Sequence, residues 1–498
     1  MKEFNSPGAK SKLLNNKAIY DKFVEIIISE SNPTQTVLIS EIAANYAANN
    51  HPGYFSSDRI EQALLKIVPD YVSDSTASES NVKFVLHIMT SALRTGGHTK
   101  LVENWIKLQP DFLHHVLITE PSFSEVPKSL TDVVKNSGGR IHQLLEDELW
   151  TKVAAIRKIA KDALVVLLHT HPHDAKPLLA FGCENWIKPS VVLVNHGDQR
   201  FWLGVSIADM VICLTADEVS LVKDRKGVRR ANLLPIPILR QEKVGQRSPP
   251  NQIDNPVILT VAASRKLEKT DDFDYLEFAL KFLEVHPTVK FLVVGPDDKD
   301  SRWKKYQAKS NGRIRAMGIM PREEIRAKLF PISTVYLDSF PLNSYTSMLE
   351  AALYGIPVLS LKTLIPELPG FEGRALANVT DLEAALLRAL SSEVVNPPDL
   401  KVYDQDRWAM EVETMISQVL IGHHQITIFD SKCSLGKYDQ FLAGLGKQHS
   451  SIAMNLSQRL DFRNKVRIFI ILMSNPWYHR QSLAKLAFAL FNKSATNA

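Results

Sequence analysis

Three groups of side chains in this 498-residue sequence are of types and spacings that could do chemistry. The first is Asn343, Ser344, Tyr345, Thr346, Ser347 and Glu350. It reads as a polar loop opening a helix, and a helix N-terminus with small hydroxyl residues is suited to a phosphate. Thr346 or Ser347 is expected to cap that helix. Glu350 follows Thr346 by one turn and so shares its side. Asp338, at the end of the preceding apolar run, would brace the loop or act directly. The second group is the basic loop carrying Arg265, Lys266 and Lys269, which would neutralise phosphate charge. A solvated loop paired with Asp271 and Asp272 is its alternative. The third group is histidine. His98 follows Gly96 and Gly97, His169, His171 and His173 alternate, and His196 is followed by Asp198. A histidine in a loop after a buried strand can serve as a general base. His196 is the candidate base, with Asp198 to orient it or bind an acceptor, and with Gly97, His98 and His171 on the acceptor side. A loop histidine bonded to backbone is the alternative. The alternating histidines with Asp174 would suit zinc, but Pro172 interrupts them and no fourth ligand is evident, so no metal is expected.

These groups need elements to hold them. Residues 335–361 read as strand, loop, helix, tight turn and strand, with Gly355 and Pro357 ending the helix. From residue 82 to residue 240, and again from 255 to 400, apolar runs of strand length alternate with helical periodicity. That alternation predicts α/β architecture, two doubly wound Rossmann-like sheets. Ligands of such sheets bind where strands end and helices begin. Boundaries are expected at 1–15 (a disordered tail), 16–80 (a helical module and linker), 81–240, 255–400 and 401–498 (a helical extension). Residues 141–160 read as one long amphipathic helix. Phe201, Trp202 and Leu203 could stack on an acceptor sugar, but core packing is the commoner use of such a group.

Composition sets outer bounds. A net charge of +5 is too mild to argue for nucleic acid, and suits a phosphorylated small molecule. Cys183, Cys213 and Cys433 lack metal spacing and are expected to be buried free thiols in a reducing compartment. No apolar leader opens the sequence, so a cytoplasmic protein is expected, with the inner face of a membrane left open. The basic C-terminal residues around Arg463, Arg467, Arg480 and Lys485 suit a solvated helix face, or contact with anionic lipid or another subunit. Oligomeric state is not legible.

The order of these pieces resembles the GT-B glycosyltransferases over roughly residues 82–400. The resemblance is best between 257 and 361, where it is similar to the family-1-like C-terminal domain, and the loop also resembles that of O-GlcNAc transferase-like enzymes. It implies two domains facing a cleft, with the nucleotide sugar, UDP-linked, on the second, and no metal or other cofactor. It places the ribose acid on Glu350, the loop donors on Asn343, Ser344, Tyr345, Thr346 and Ser347, the diphosphate cations on Arg265, Lys266 and Lys269, and a nucleobase contact near Gly318. Many retaining members carry a second glutamate where this sequence has Leu342, which tilts the expectation towards inversion. The activity implied is hexosyl or N-acetylhexosaminyl transfer to a sugar, lipid-linked or protein acceptor. An inactive nucleotide-sugar-binding homologue and a sugar-nucleotide epimerase are the alternatives. A nicotinamide dehydrogenase is disfavoured, because no GxGxxG follows a strand.

Overall fold

A computed structural model describes residues 7–69, 83–93, 97–121, 125–183, 186, 188–197, 199–239, 255–270, 273–391, 397–421, 429–445 and 459–474. The chain divides into two compact units, Asn5–Leu234 with Ala409–Ala498, and Pro235–Trp408.

The first unit is built on β1 (Phe84–Met89), β2 (His114–Ile118), β3 (Ile141–Gln143), β4 (Ala163–His169), β5 (Ser190–Val194), β6 (Met210–Cys213) and β7 (Ala231–Leu233). These form one parallel sheet in the order β3-β2-β1-β4-β5-β6-β7. Helices cover both faces, so the central strands are apolar throughout: Val165, Val166, Leu167 and Leu168 are all buried. The order reverses between β1 and β4. Side chains at the C-terminal ends of those two strands therefore flank the crevice of the sheet.

The second unit carries β8 (Val257–Val261), β9 (Lys290–Val294), β10 (Ile314–Ala316), β11 (Val335–Leu337) and β12 (Val358–Leu359). Its parallel sheet runs β10-β9-β8-β11-β12 and reverses between β8 and β11. Phe278, Phe282, Phe291, Val293 and Leu386 lie in its core. The doubly wound α/β expectation describes both sheets.

Helical material from both ends of the chain belongs to the first unit. Phe23, Ile39 and Ile42 from the N-terminal helices share one apolar cluster with Val166 and Leu193 of the sheet, and with Ile468 and Leu472 near the C-terminus. Two fully buried carboxylates fasten the N-terminal helices to the sheet's loops. Glu61 accepts the amides of Gly204, Val205 and Ser206 at 2.8–3.1 Å and the Ser206 hydroxyl at 2.5 Å. Glu41 accepts from Ala175 N at 3.2 Å and pairs with Lys176 at 3.4 Å. The N-terminal helices are thus a support for the loops after β4 and β5.

Several sequence expectations change. The chain is helical from Pro7 to Ser29 rather than disordered to residue 15, because Leu13 is wholly buried there. The single helix expected over 141–160 is a strand followed by a helix at Leu149–Ala160. Ile141 pairs with Val116 at the sheet edge, a tertiary contact that outweighs helical periodicity. Cys213 is buried, Cys183 half-buried and Cys433 exposed. Residues 70–80 of the expected N-terminal linker, and residues 241–254 between the two expected halves, lie outside the described residues, as do Arg480 and Lys485.

Candidate functional site

In the second unit, two loops leave the C-terminal ends of β8 and β11, the strands at the sheet's reversal. After β8 comes a short 3-10 turn, Ser264–Leu267, anchored by the wholly buried Leu267. Arg265 and Lys269 are exposed, while Lys266 reaches across to donate to the Asn343 carbonyl at 2.6 Å. After β11 the loop of residues 338–344 is organised on Asp338, which is almost fully buried. Its Oδ1 accepts the amides of Ser339 and Ser344 at 2.8 and 3.0 Å and also the Ser344 hydroxyl. Its Oδ2 accepts from Asn343 Nδ2 at 2.9 Å. Burial pushes the Asp338 carboxyl up from its ordinary value, opposed by these hydrogen bonds and by Lys266. Asp338 is therefore a loop brace.

The helix that follows is Tyr345–Leu353, which begins before a cap at Thr346 or Ser347 allows. Its N-cap is Ser344, and that side chain does not cap. The hydroxyl is engaged by Asp338 and by Tyr336 Oη, the latter at 2.7 Å. Ser347 N and Met348 N turn back to the Ser344 carbonyl at 2.8 and 3.1 Å, and the Thr346 amide meets no acceptor among the described residues. The helix thus opens with donor capacity left over, next to a basic turn. Thr346 and Ser347 are half-buried, and Tyr345 Oη is fixed on the Pro366 carbonyl. Glu350 pairs with Arg322 Nε at 2.9 Å and Arg326 Nη2 at 3.1 Å. That ties the helix to the irregular segment after β10, at residues 322–329. Gly318, at φ +68°, lies at the end of β10, where its carbonyl accepts from Gly295 N at 2.8 Å.

In the first unit the histidines gather at the other reversal. His98 lies in the first turn of the helix Gly97–Leu108, with Gly97 exposed at its start. His169 ends β4, and His196 follows β5, where Asn195 Nδ2 is held by Glu218. The His98 and His196 rings stack with centroids 3.9 Å apart, and His171 lies edge-on to His98 at 6.2 Å. His171 is set by its amide donating to Thr90 Oγ1 at 2.8 Å, and Thr90 donates in turn to Asp174 at 2.8 Å. His169, His171 and His173 do not share a face, because β4 stops at His169. Among the described residues no group of three or more His, Cys, Asp or Glu is placed to hold a metal ion. Burial lowers the pKa of His98 to about 4, helped by His171 and Arg200. It lowers that of His196 well below the ordinary value, helped by His98, His169 and His171. Both rings are therefore neutral bases at pH 7. Phe201, Trp202 and Leu203 are buried in the core, with Lys226 Nζ 4.2 Å above the Trp202 ring, so they are no sugar platform. Asp198 lies outside the described residues.

No protein-family model and no curated protein matches the chain. The chain is similar to solved glycosyltransferases. An O-GlcNAc transferase from Thermobaculum terrenum is 14% identical over 95% of this chain and 76% of its own, with a TM-score of 0.42. The lipopolysaccharide outer core galactosyltransferase WaaB is 15% identical over 66% of this chain and all of its own, at 0.46. HepE from Anabaena, solved with UDP and glucose, is 13% identical over 67% of this chain and all of its own, at 0.48. The fold assignment stands on the two sheet orders.

Sequence reasoning missed two members of the histidine group. His87 sits in the middle of β1 and His114 at the start of β2, both wholly buried. His87 Nδ1 lies 3.1 Å from His169 Nε2, and His87 Nε2 lies 3.1 Å from His114 Nδ1. The available signal was a histidine in or beside each of four apolar runs, at 87, 114, 169 and 196. The pairing of strands is what makes it legible.

Proposed function

We propose that this protein is a glycosyltransferase moving a sugar from a nucleotide-diphosphate sugar, UDP-linked, to a hydroxyl acceptor without a metal. The supporting observation is the loop pair of the second unit. Lys266 clamps the loop after β8 to the loop after β11, at the sheet's reversal, beside a helix whose Ser344 cap is turned away. A diphosphate leaving group gains negative charge as its bond to the sugar breaks. A helix N-terminus, worth roughly half an elementary charge, offsets this together with Arg265, Lys266 and Lys269. Asn343, Ser344, Tyr345, Thr346 and Ser347 supply the loop, Gly318 lies toward the nucleobase, and Glu350 binds ribose or holds the helix through its arginines.

His196 is the base. Its neutral imidazole removes the acceptor proton as the acceptor oxygen bonds to the anomeric carbon, and the electron pair of the broken bond leaves with the diphosphate. His98 and His171, with Gly97, line the acceptor side, and Asp198 is the further acceptor contact. The acceptor is a sugar, a lipid-linked sugar or a protein side chain. Calorimetry and a thermal-shift screen with nucleoside diphosphates and their sugars test the donor, and product analysis with an acceptor panel tests transfer. UDP binding with donor turnover that collapses in His196→Ala is the expected result. Conversion of the nucleotide sugar with no acceptor present, or binding without turnover, refutes it.

A further inference from the structure

Four buried or half-buried imidazoles form one unbranched hydrogen-bonded chain across the first sheet. It begins at the backbone carbonyl of Gln109, which lies 2.9 Å from His114 Nε2. His114 Nδ1 meets His87 Nε2 at 3.1 Å, His87 Nδ1 meets His169 Nε2 at 3.1 Å, and His169 Nδ1 meets His196 Nε2 at 3.2 Å. Trp105 stands edge-on to the middle two rings, at 6.1 Å from His87 and 6.0 Å from His169. His87, His114 and His169 are at most 1% exposed.

Proton counting fixes the direction of this chain. A neutral imidazole carries one N–H, so four rings carry four, and the four contacts need one each. A carbonyl only accepts, so His114 must hold its proton on Nε2. Its Nδ1 is then an acceptor, which puts the His87 proton on Nε2, and the same step repeats through His169 to His196. The one nitrogen left without a proton is His196 Nδ1, and it meets no hydrogen-bond partner among the described residues. Reversing the His196 tautomer would reverse all four rings. It would also set the His114 Nε2 lone pair against the Gln109 oxygen in a buried site. The loss of one buried hydrogen bond there favours the forward direction on the order of ten- to a hundredfold.

We infer that His114, His87 and His169 are positioning residues that lock His196 in the Nε2–H tautomer and present Nδ1 as the proton acceptor. The inference rests on the reading of His196 as the base, but the tautomer itself does not. The chain ends on a carbonyl that cannot take up a proton, so it orients and does not conduct to solvent. Among the described residues, the ionisable groups acting on His196 are His98, His169 and His171, with Arg200 beyond them. The neutral rings set the tautomer through their hydrogen bonds alone.

The test uses the full chain labelled with [15N]histidine, read by two-bond proton–nitrogen correlation at pH 7.5, with His196→Gln to assign the His196 signals. All four rings in the Nε2–H form is the expected result. A His196 ring in the Nδ1–H form, or averaged between both, overturns the lock. In His87→Leu the chain is cut, and His169 and His196 are expected to show both tautomers. An even mixture halves the competent fraction and lowers kcat about twofold at unchanged donor KM. A His196 that stays wholly Nε2–H in that variant places the lock elsewhere and overturns the role of His87 and His114. If the wild type has the expected tautomers and transfers no sugar, the lock stands and the glycosyltransferase reading falls.

Discussion

Asp338 offers a prediction that separates charge from hydrogen bonding. Three of its four accepted bonds, from Ser339 N, Ser344 N and the Ser344 hydroxyl, fall on Oδ1, and one, from Asn343, falls on Oδ2. Asp338→Ala removes all four in a buried loop, at about 1 kcal/mol each, so the second unit loses about 4 kcal/mol. Asp338→Asn keeps the three on its amide oxygen. Its new amide nitrogen faces Asn343 Nδ2, a conflict that an Asn343 flip relieves, and the cost is about 1 kcal/mol. The pH dependence has a definite sign. Burial raises the folded carboxyl above 3.8. The folded state therefore binds more proton in the window just above that value, and stability falls as pH rises through the folded pKa. Asp338→Asn removes that slope. Hydrogen exchange of peptides spanning 335–350, with urea unfolding from pH 4 to 7, measures both effects. Equal damage from the Asn and Ala variants, or a slope unchanged in Asp338→Asn, would refute the reasoning.

Three further outcomes are expected. Glu61→Ala strips the acceptor from three backbone amides and a hydroxyl, so the first unit is expected to lose about 3–5 kcal/mol in urea unfolding; Glu61→Gln should lose less, and a loss below 1 kcal/mol from Glu61→Ala would count against the anchor. Burial pushes Asp174 up, but Lys176 and the Thr119 and Thr90 hydroxyls outweigh it and hold it at about 2. Its contribution of about 2 kcal/mol is therefore present above pH 4 and lost as pH falls towards 2, so the wild-type advantage over Asp174→Asn should shrink across that window. Glu350→Gln leaves Arg322 and Arg326 without their anion; UDP affinity by calorimetry is expected to fall roughly tenfold, and unchanged affinity would remove Glu350 from the donor site.

The sequence by itself determined the fold class and marked the candidate loops. Periodicity switching between strand and helix gave two doubly wound halves, and turn residues after apolar runs marked the loops at 264–270, 338–344 and 196–200. Local signals suffice there because apolar strands, turn formers and helix caps act over a few residues. Tertiary structure alone decided what each side chain does. Thr346 and Ser347 look like caps, yet the cap position falls on Ser344, whose hydroxyl is engaged by Asp338 and Tyr336. Glu350 shares the side of Thr346 by spacing, yet it pairs with arginines more than twenty residues away in sequence. His87 and His114 look like core residues, yet strand register joins them to His169 and His196 through bonds of 3.1–3.2 Å. A hydrogen bond is decided by tenths of an ångström between groups far apart in sequence, and only the packed sheet fixes those distances.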